Sequence, residues 1–175
     1  LAEFTNLLTL LAMTFEKIGE DIFFQQRNEV AELEEPFDTA HQIGSSTLPQ
    51  KRNPVLVEAV MAWSKKIRSN AAALLDTHMR DSHDITGFYM EDLIIPETCL
   101  LSGSMLNLMK QVFQGLDVKK DAMRRNLELS RGLIMNEALM FALSKKTGKK
   151  QTAHHILHTA AMESFEKNIP FDEYI

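Results

Sequence analysis

Apolar residues return every three or four positions along much of the chain, and that period is its strongest signal. Leu7, Leu8, Leu11, Phe15, Ile18 and Ile22 follow one another at this spacing, and Leu10 and Met13 widen the stripe. The pattern predicts one long helix over residues 4–33, stopped by Pro36. A helix apolar on nearly all sides is buried among several neighbours. At 1.5 Å per residue it would reach about 45 Å. A chain of 175 residues can hardly cover that length, so a bundle built by several chains is expected.

The period resumes after a break. Val55, Val57, Ala59, Met61, Trp63 and Ile67 predict a helix over 54–75, with Pro54 in its first turn, where a missing N–H costs little. Leu93, Ile94, Leu100, Leu101, Met105, Leu108, Met109 and Phe113 predict a third long helix over 90–116. Pro96 would kink it or lie near its start. Residues 76–89 are polar, lack a period and contain Gly87, and so read as a bend. The charged stretch Asp117 to Asp121 reads as a domain boundary. Shorter helices are expected beyond it, over 122–129, over 132–147 with Gly148 as the stop, and over 152–168. No run alternates long enough to predict a strand. The expected fold is all-α. A partial central helical-bundle domain spans 1–116, and a small helical C-terminal domain, truncated, spans 117–175. The opening residues, Leu1-Ala2-Glu3-Phe4, start in mid-pattern, as a central-to-C-terminal fragment would.

Composition narrows the function classes. The net charge is −5 and no basic run occurs, which argues against a nucleic-acid partner. A single cysteine, Cys99, permits no internal disulfide, so a reducing, cytoplasmic setting is expected. No apolar stretch is long enough to span a membrane. Glu29, Glu32, Glu34 and Glu35 read as a solvated helix end, or alternatively as an electrostatic wall beside the loop that follows. His154 and His158 stand one helical turn apart, a possible metal spacing. No Glu lies between them at the position a zinc protease uses, and no third ligand is evident, so neither metal nor cofactor is expected.

The chemistry concentrates between the first two long helices, in Gly44-Ser45-Ser46-Thr47-Leu48-Pro49-Gln50-Lys51-Arg52-Asn53-Pro54. Small, hydroxyl, basic and amide groups crowd together there without a hydrophobic period. Successive N–H groups of Gly44, Ser45 and Ser46 can converge on an anion. Lys51 adds a full charge, and Asn53 a neutral donor and acceptor. Both sit just before a predicted helix N-terminus, whose dipole and free N–H groups favour negative charge. The loop therefore reads as a site for a carboxylate-bearing ligand.

This stretch resembles the signature G-S-S-x-M-P-x-K-x-N-P of the fumarase/aspartase superfamily, with Leu48 in place of the usual Met, and the resemblance extends from about Leu1 to Ile175. It implies β-elimination from a succinyl-type substrate, or the reverse addition. It also implies Ser45 as the general base, with Ser46, Lys51 and Asn53 binding a small di- or tricarboxylate. Glu58, seven positions after Lys51, would orient a histidine from another subunit. The resemblance further implies a homotetramer whose sites combine residues of three subunits. The region that carries the acid-side histidine is not found in this sequence, so the fragment alone is expected to be inactive. Leu133 to Leu139, Arg124-Arg125-Asn126-Leu127 and Pro96-Glu97 look like the 3-carboxy-cis,cis-muconate cycloisomerase branch, the favoured reading. Asp84-Ile85, Ile94-Ile95-Pro96 and Glu58 look instead like adenylosuccinate lyase. In that branch's pattern, however, His83 and Asp92 replace arginines. A catalytically silent, crystallin-like scaffold is the non-enzymatic alternative.

Overall fold

A computed structural model describes residues 1–38, 42, 44, 47–48, 50–77, 81 and 83–174. Within these, regular structure is helical apart from one antiparallel bridge, in which β1 (Leu33–Glu34) pairs with β2 (Asp117–Val118). The described residues form two compact units, Leu1–Lys119 and Lys120–Ile175.

The first unit is three long helices: α1 (Ala2–Gln25), α2 (Val55–Leu75) and α3 (Thr86–Gly115). Val57, Val60, Ile67, Met105, Met109 and Val112 are almost wholly buried between them. Each such side chain contributes about 1.5–3 kcal/mol by leaving water. The α1 face that meets its own chain coincides only in part with the expected stripe: Ile22 is buried and Phe15 and Ile18 pack against the core, but the other buried positions are Thr5, Ala12, Glu16 and Gly19. Small residues let α1 approach α2 closely: a Cβ on Gly19 would already lie 3.5 Å from the Val57 carbonyl oxygen. Leu7 and Leu10 remain 64% exposed, and Leu93 and Leu100 on α3 are 71% and 72% exposed. The wide apolar period was thus a sign of two faces, only one of which is covered within the chain.

Buried polar groups fix the register. The Glu16 carboxylate accepts from the Ser64 hydroxyl at 2.9 Å and from the Arg68 guanidinium at 3.1 Å. One level along, the Asn70 amide donates to Glu97 at 2.8 Å and to the Thr98 hydroxyl at 3.1 Å. Each bridge joins neighbouring helices at a single axial position.

Two boundaries differ from expectation. α1 ends at Gln25, well before residue 33. Val30 and Ala31 both donate to the Arg27 carbonyl, and Ala31 takes a left-handed φ of 54°, so the chain turns back to form β1. α3 begins at Thr86, four residues early, just after a turn in which the Asp84 carboxylate accepts from the Thr86 N–H at 2.9 Å. The helix then runs unbroken through Pro96.

The second unit contains α4 (Lys120–Glu128), a 3₁₀ turn (Leu133–Met135), α5 (Asn136–Thr147), α6 (Lys150–Lys167) and α7 (Phe171–Tyr174). The single helix expected over 132–147 is divided, since Arg131 and Gly132 both have positive φ and start the 3₁₀ turn. Gly148 ends α5 in the left-handed conformation at φ 68°, as its sequence position suggested. Phe171 is 1% exposed and closes a small core with Leu157 and Ala161.

Candidate active site

The base of the signature loop is built by three residues from the α1–β1 segment. The Gln26 side chain accepts from the Glu35 N–H at 2.9 Å and donates to the Arg52 carbonyl at 3.4 Å, so one amide holds both ends of the loop. Glu34 binds the Arg52 guanidinium at 2.9 Å and pairs with the Lys119 ammonium. Glu35 is 2% exposed. Its two oxygens accept from the N–H groups of Leu56 and Val57, at 3.0 and 3.1 Å, in the first turn of α2.

This divides the acidic patch: Glu29 is exposed and lines the cleft beside the loop together with Glu34, which is ion-paired, whereas Glu35 is neither solvated nor part of a wall but a buried cap. It also corrects the expectation that the start of α2 offers free N–H groups to a ligand. Val55 donates to the Asn53 carbonyl, Glu58 to that of Pro54, and Glu35 takes the two amides between them. The anion at this helix dipole belongs to the protein.

Lys51, Asn53 and Glu58 line one open cleft of about 710 Å³, together with Gln26, Arg27 and Lys119. Lys51 and Glu58 are exposed and Asn53 is half-buried. The cations of the cleft are not equivalent. Arg52 is held by Glu34 and stacks over Phe37 at 5.3 Å, Lys119 pairs with Glu34, and Arg27 lies over Phe24. Lys51 has no ion-pair partner among the described residues. Asn53 donates to the Gly44 carbonyl at 3.3 Å, tying the two ends of the signature together. Gly44 is required by proximity: a Cβ there would sit 1.8 Å from the Lys51 carbonyl oxygen. The expected base Ser45 and its neighbour Ser46 lie outside the described residues.

Charges at the loop base are shifted in opposite directions. The Lys119 ammonium holds the Glu34 carboxyl below the usual carboxylate range; burial opposes this and Arg52 reinforces it. Burial pushes the Glu35 carboxyl above that range, offset in part by the N–H groups of Leu56 and Val57, while the nearby Glu58 charge adds to the rise. Gln26 and Lys119 were not anticipated as parts of the site, and Glu35 was anticipated only as one acid of a possible wall, not as a cap. Each is distant in sequence from the loop it holds, and no local spacing rule connects them.

Elsewhere, His83 is an exposed side chain bonded to Asp81, and Asp92 is exposed on α3. The His154 and His158 rings stack at 6.0 Å. Among the described residues no group of three or more His, Cys, Asp or Glu gathers as a metal site would. No described helix is long and apolar enough to cross a membrane.

Residues 1–69 match the family model described as "Lyase". The chain is 41% identical to adenylosuccinate lyase of Methanocaldococcus jannaschii over 95% of its own length and 36% of that protein's. It is 36% identical to N-acetyl-S-(2-succino)cysteine lyase of Enterococcus italicus, over 97% of the chain and 37% of the relative. Its backbone superposes on 3-carboxy-cis,cis-muconate lactonizing enzyme of Pseudomonas putida with a TM-score of 0.85 and 28% identity, covering 99% of the chain and 38% of that structure. Over nearly its whole length the chain is similar to lyases of the fumarate lyase superfamily. It spans little more than a third of the length of these curated relatives. The relatives with the higher identities act on succinyl compounds, which moves the weight, though only slightly, from the cycloisomerase branch favoured above toward the lyase branch.

Proposed function

We propose that this chain supplies the loop-bearing part of a lyase that eliminates fumarate from a succinyl compound. The observation that carries the reading is the pair of relatives named for adenylosuccinate and N-acetyl-S-(2-succino)cysteine, joined to a cleft in which Lys51, without an ion-pair partner among the described residues, stands beside Asn53 and Glu58. Ser45 takes the proton from the carbon next to a carboxylate. The electron pair moves into that carboxylate to give an aci-carboxylate dianion, then forms the double bond as the C–N or C–S bond breaks and the departing nitrogen or sulfur takes a proton from a general acid outside this sequence. Lys51 and Asn53 stabilise the charge that develops. A serine works as a base only in a closed, dry site, which a Gly/Ser/Pro loop folding over substrate provides.

Assembly follows from the same reading. The exposed leucines of α1 and α3 are long apolar faces of the kind that bury against other copies, here in a homotetramer with shared sites. Glu58, which is exposed and lines the cleft, would orient a histidine brought by another subunit.

A second reading is muconate cycloisomerisation, favoured by the superposition on the Pseudomonas putida enzyme. The test is a substrate panel on the full-length protein: adenylosuccinate, N-acetyl-S-(2-succino)cysteine and 3-carboxy-cis,cis-muconate. Fumarate from either succinyl compound supports the lyase. Lactone from the muconate, with no fumarate from the others, replaces it with the cycloisomerase. No turnover of any of the three leaves the crystallin-like scaffold.

A further inference from the structure

Four consecutive N–H positions at the start of α2 are spoken for by the chain itself, so a substrate carboxylate must be met by the side chains just ahead of them. The position of those side chains is set from below. Arg52 is held through its carbonyl by Gln26 and through its guanidinium by Glu34. The helix that follows is held by Glu35, whose own N–H is bound by the same Gln26. Lys51 and Asn53 flank Arg52 in this clamped segment. A buried carboxylate is a costly way to end a helix, since a serine or aspartate in the loop could satisfy one amide locally. Glu35 instead reaches across from the far end of the loop, and so couples the loop's entry to its exit.

We infer that Glu35 is a positioning residue: by capping α2 across the base of the loop it sets where Lys51 and Asn53 stand toward the substrate's carboxylate. The inference rests on the assignment of Lys51 to carboxylate binding. Glu35 itself, 2% exposed and bonded to two amides, is absent from the cleft lining and does not touch the ligand.

The test measures fumarate binding to the full-length protein by calorimetry, with Tm recorded in parallel, for wild type, Glu35→Gln, Lys51→Ala and the double variant. Glutamine keeps the shape and one acceptor but turns an NH₂ toward the second amide. Glu35→Gln should weaken fumarate binding by about threefold to thirtyfold, the range spanned by a lost cap. On the Lys51→Ala background the same change should cost much less, because the residue through which it acts is gone. A merely structural role would lower Tm and leave the fumarate affinity of folded protein unchanged, and that result overturns the inference. Equal factors on both backgrounds also overturn it. If Lys51→Ala leaves affinity unchanged, the carboxylate assignment fails and the inference with it; if only Glu35→Gln is silent, the assignment stands alone. Should Glu35→Gln not fold, Glu35→Asp, which reaches a single amide, carries the same comparison and should show an intermediate loss.

Discussion

Replacing Glu16 by alanine tests whether the α1–α2 seam is set by its buried polar bridge. Glu16 is 7% exposed and Ser64 fully buried, so truncation strands the Ser64 hydroxyl in the seam. A buried donor left without its partner costs about 1–3 kcal/mol. The Arg68 side chain is 38% exposed, so its lost pairing is screened by water and adds only about 0–1 kcal/mol. Together these give about 2 kcal/mol for Glu16→Ala. Ser64→Ala removes the hydroxyl but leaves the carboxylate its arginine, and should cost about 1 kcal/mol. The double variant has no stranded hydroxyl and should fall short of the sum by about 1 kcal/mol. Urea denaturation of the full-length protein at fixed concentration, comparing the four species, reads these differences. Strict additivity, or a Glu16→Ala cost below about 0.5 kcal/mol, would refute the claim that the bridge holds the seam.

Other outcomes follow from the loop. Lys51→Ala should raise KM by about tenfold to a hundredfold in steady-state kinetics, since a charge-assisted pair is lost in the ground state as well as the transition state; an unchanged KM contradicts its assignment. Gly44→Ala should lower kcat/KM by about 10²-fold, because the added Cβ cannot share space with the Lys51 carbonyl, and the Tm should move little by comparison. The two glutamates at the loop base should give opposite pH signatures. Glu35 has a folded-state pKa above its unfolded value, so its ionisation opposes folding. The stability of wild type relative to Glu35→Gln should decline as pH rises above about 4.5, with Glu58 adding to the effect. Glu34 has the reverse shift, and the advantage of wild type over Glu34→Gln should disappear as pH falls below that value. Chemical denaturation across pH 3–8, a window chosen to bracket a carboxylate, checks both signs.

Helix content was legible because a period of three to four residues marks the three long helices, and Gly148 and Pro54 marked ends for the physical reasons that make them punctuation. What the period could not show was orientation. Leu7 and Leu10 mark α1 as helical as clearly as Ala12 and Gly19 do, yet it is the smaller residues that face the chain's own core, where α1 lies close against α2. The end of α1 was missed because residues 26–33 carry no breaker; the turn is made by Ala31 at positive φ and sustained by the pairing of Leu33 with Val118, far away in sequence. The same limit applies to the site. Lys51, Asn53 and Glu58 were readable because they lie in or just after one contiguous motif. Glu35 looked like one more surface acid, and only the fold reveals that it ends a helix more than twenty positions later. Cap residues are sought next to a helix start, and this one arrives from the other side of the loop.

The central claim is that this loop removes a proton next to a carboxylate, with Ser45 as the base. The direct measurement compares wild-type and Ser45→Ala full-length enzyme in fumarate release from the succinyl substrate that the panel identifies. Loss of a general base should lower kcat by roughly 10²-fold or more, while KM changes little because the hydroxyl acts mainly in the transition state. Fumarate release by Ser45→Ala at near wild-type kcat would contradict the account and place the base outside this chain.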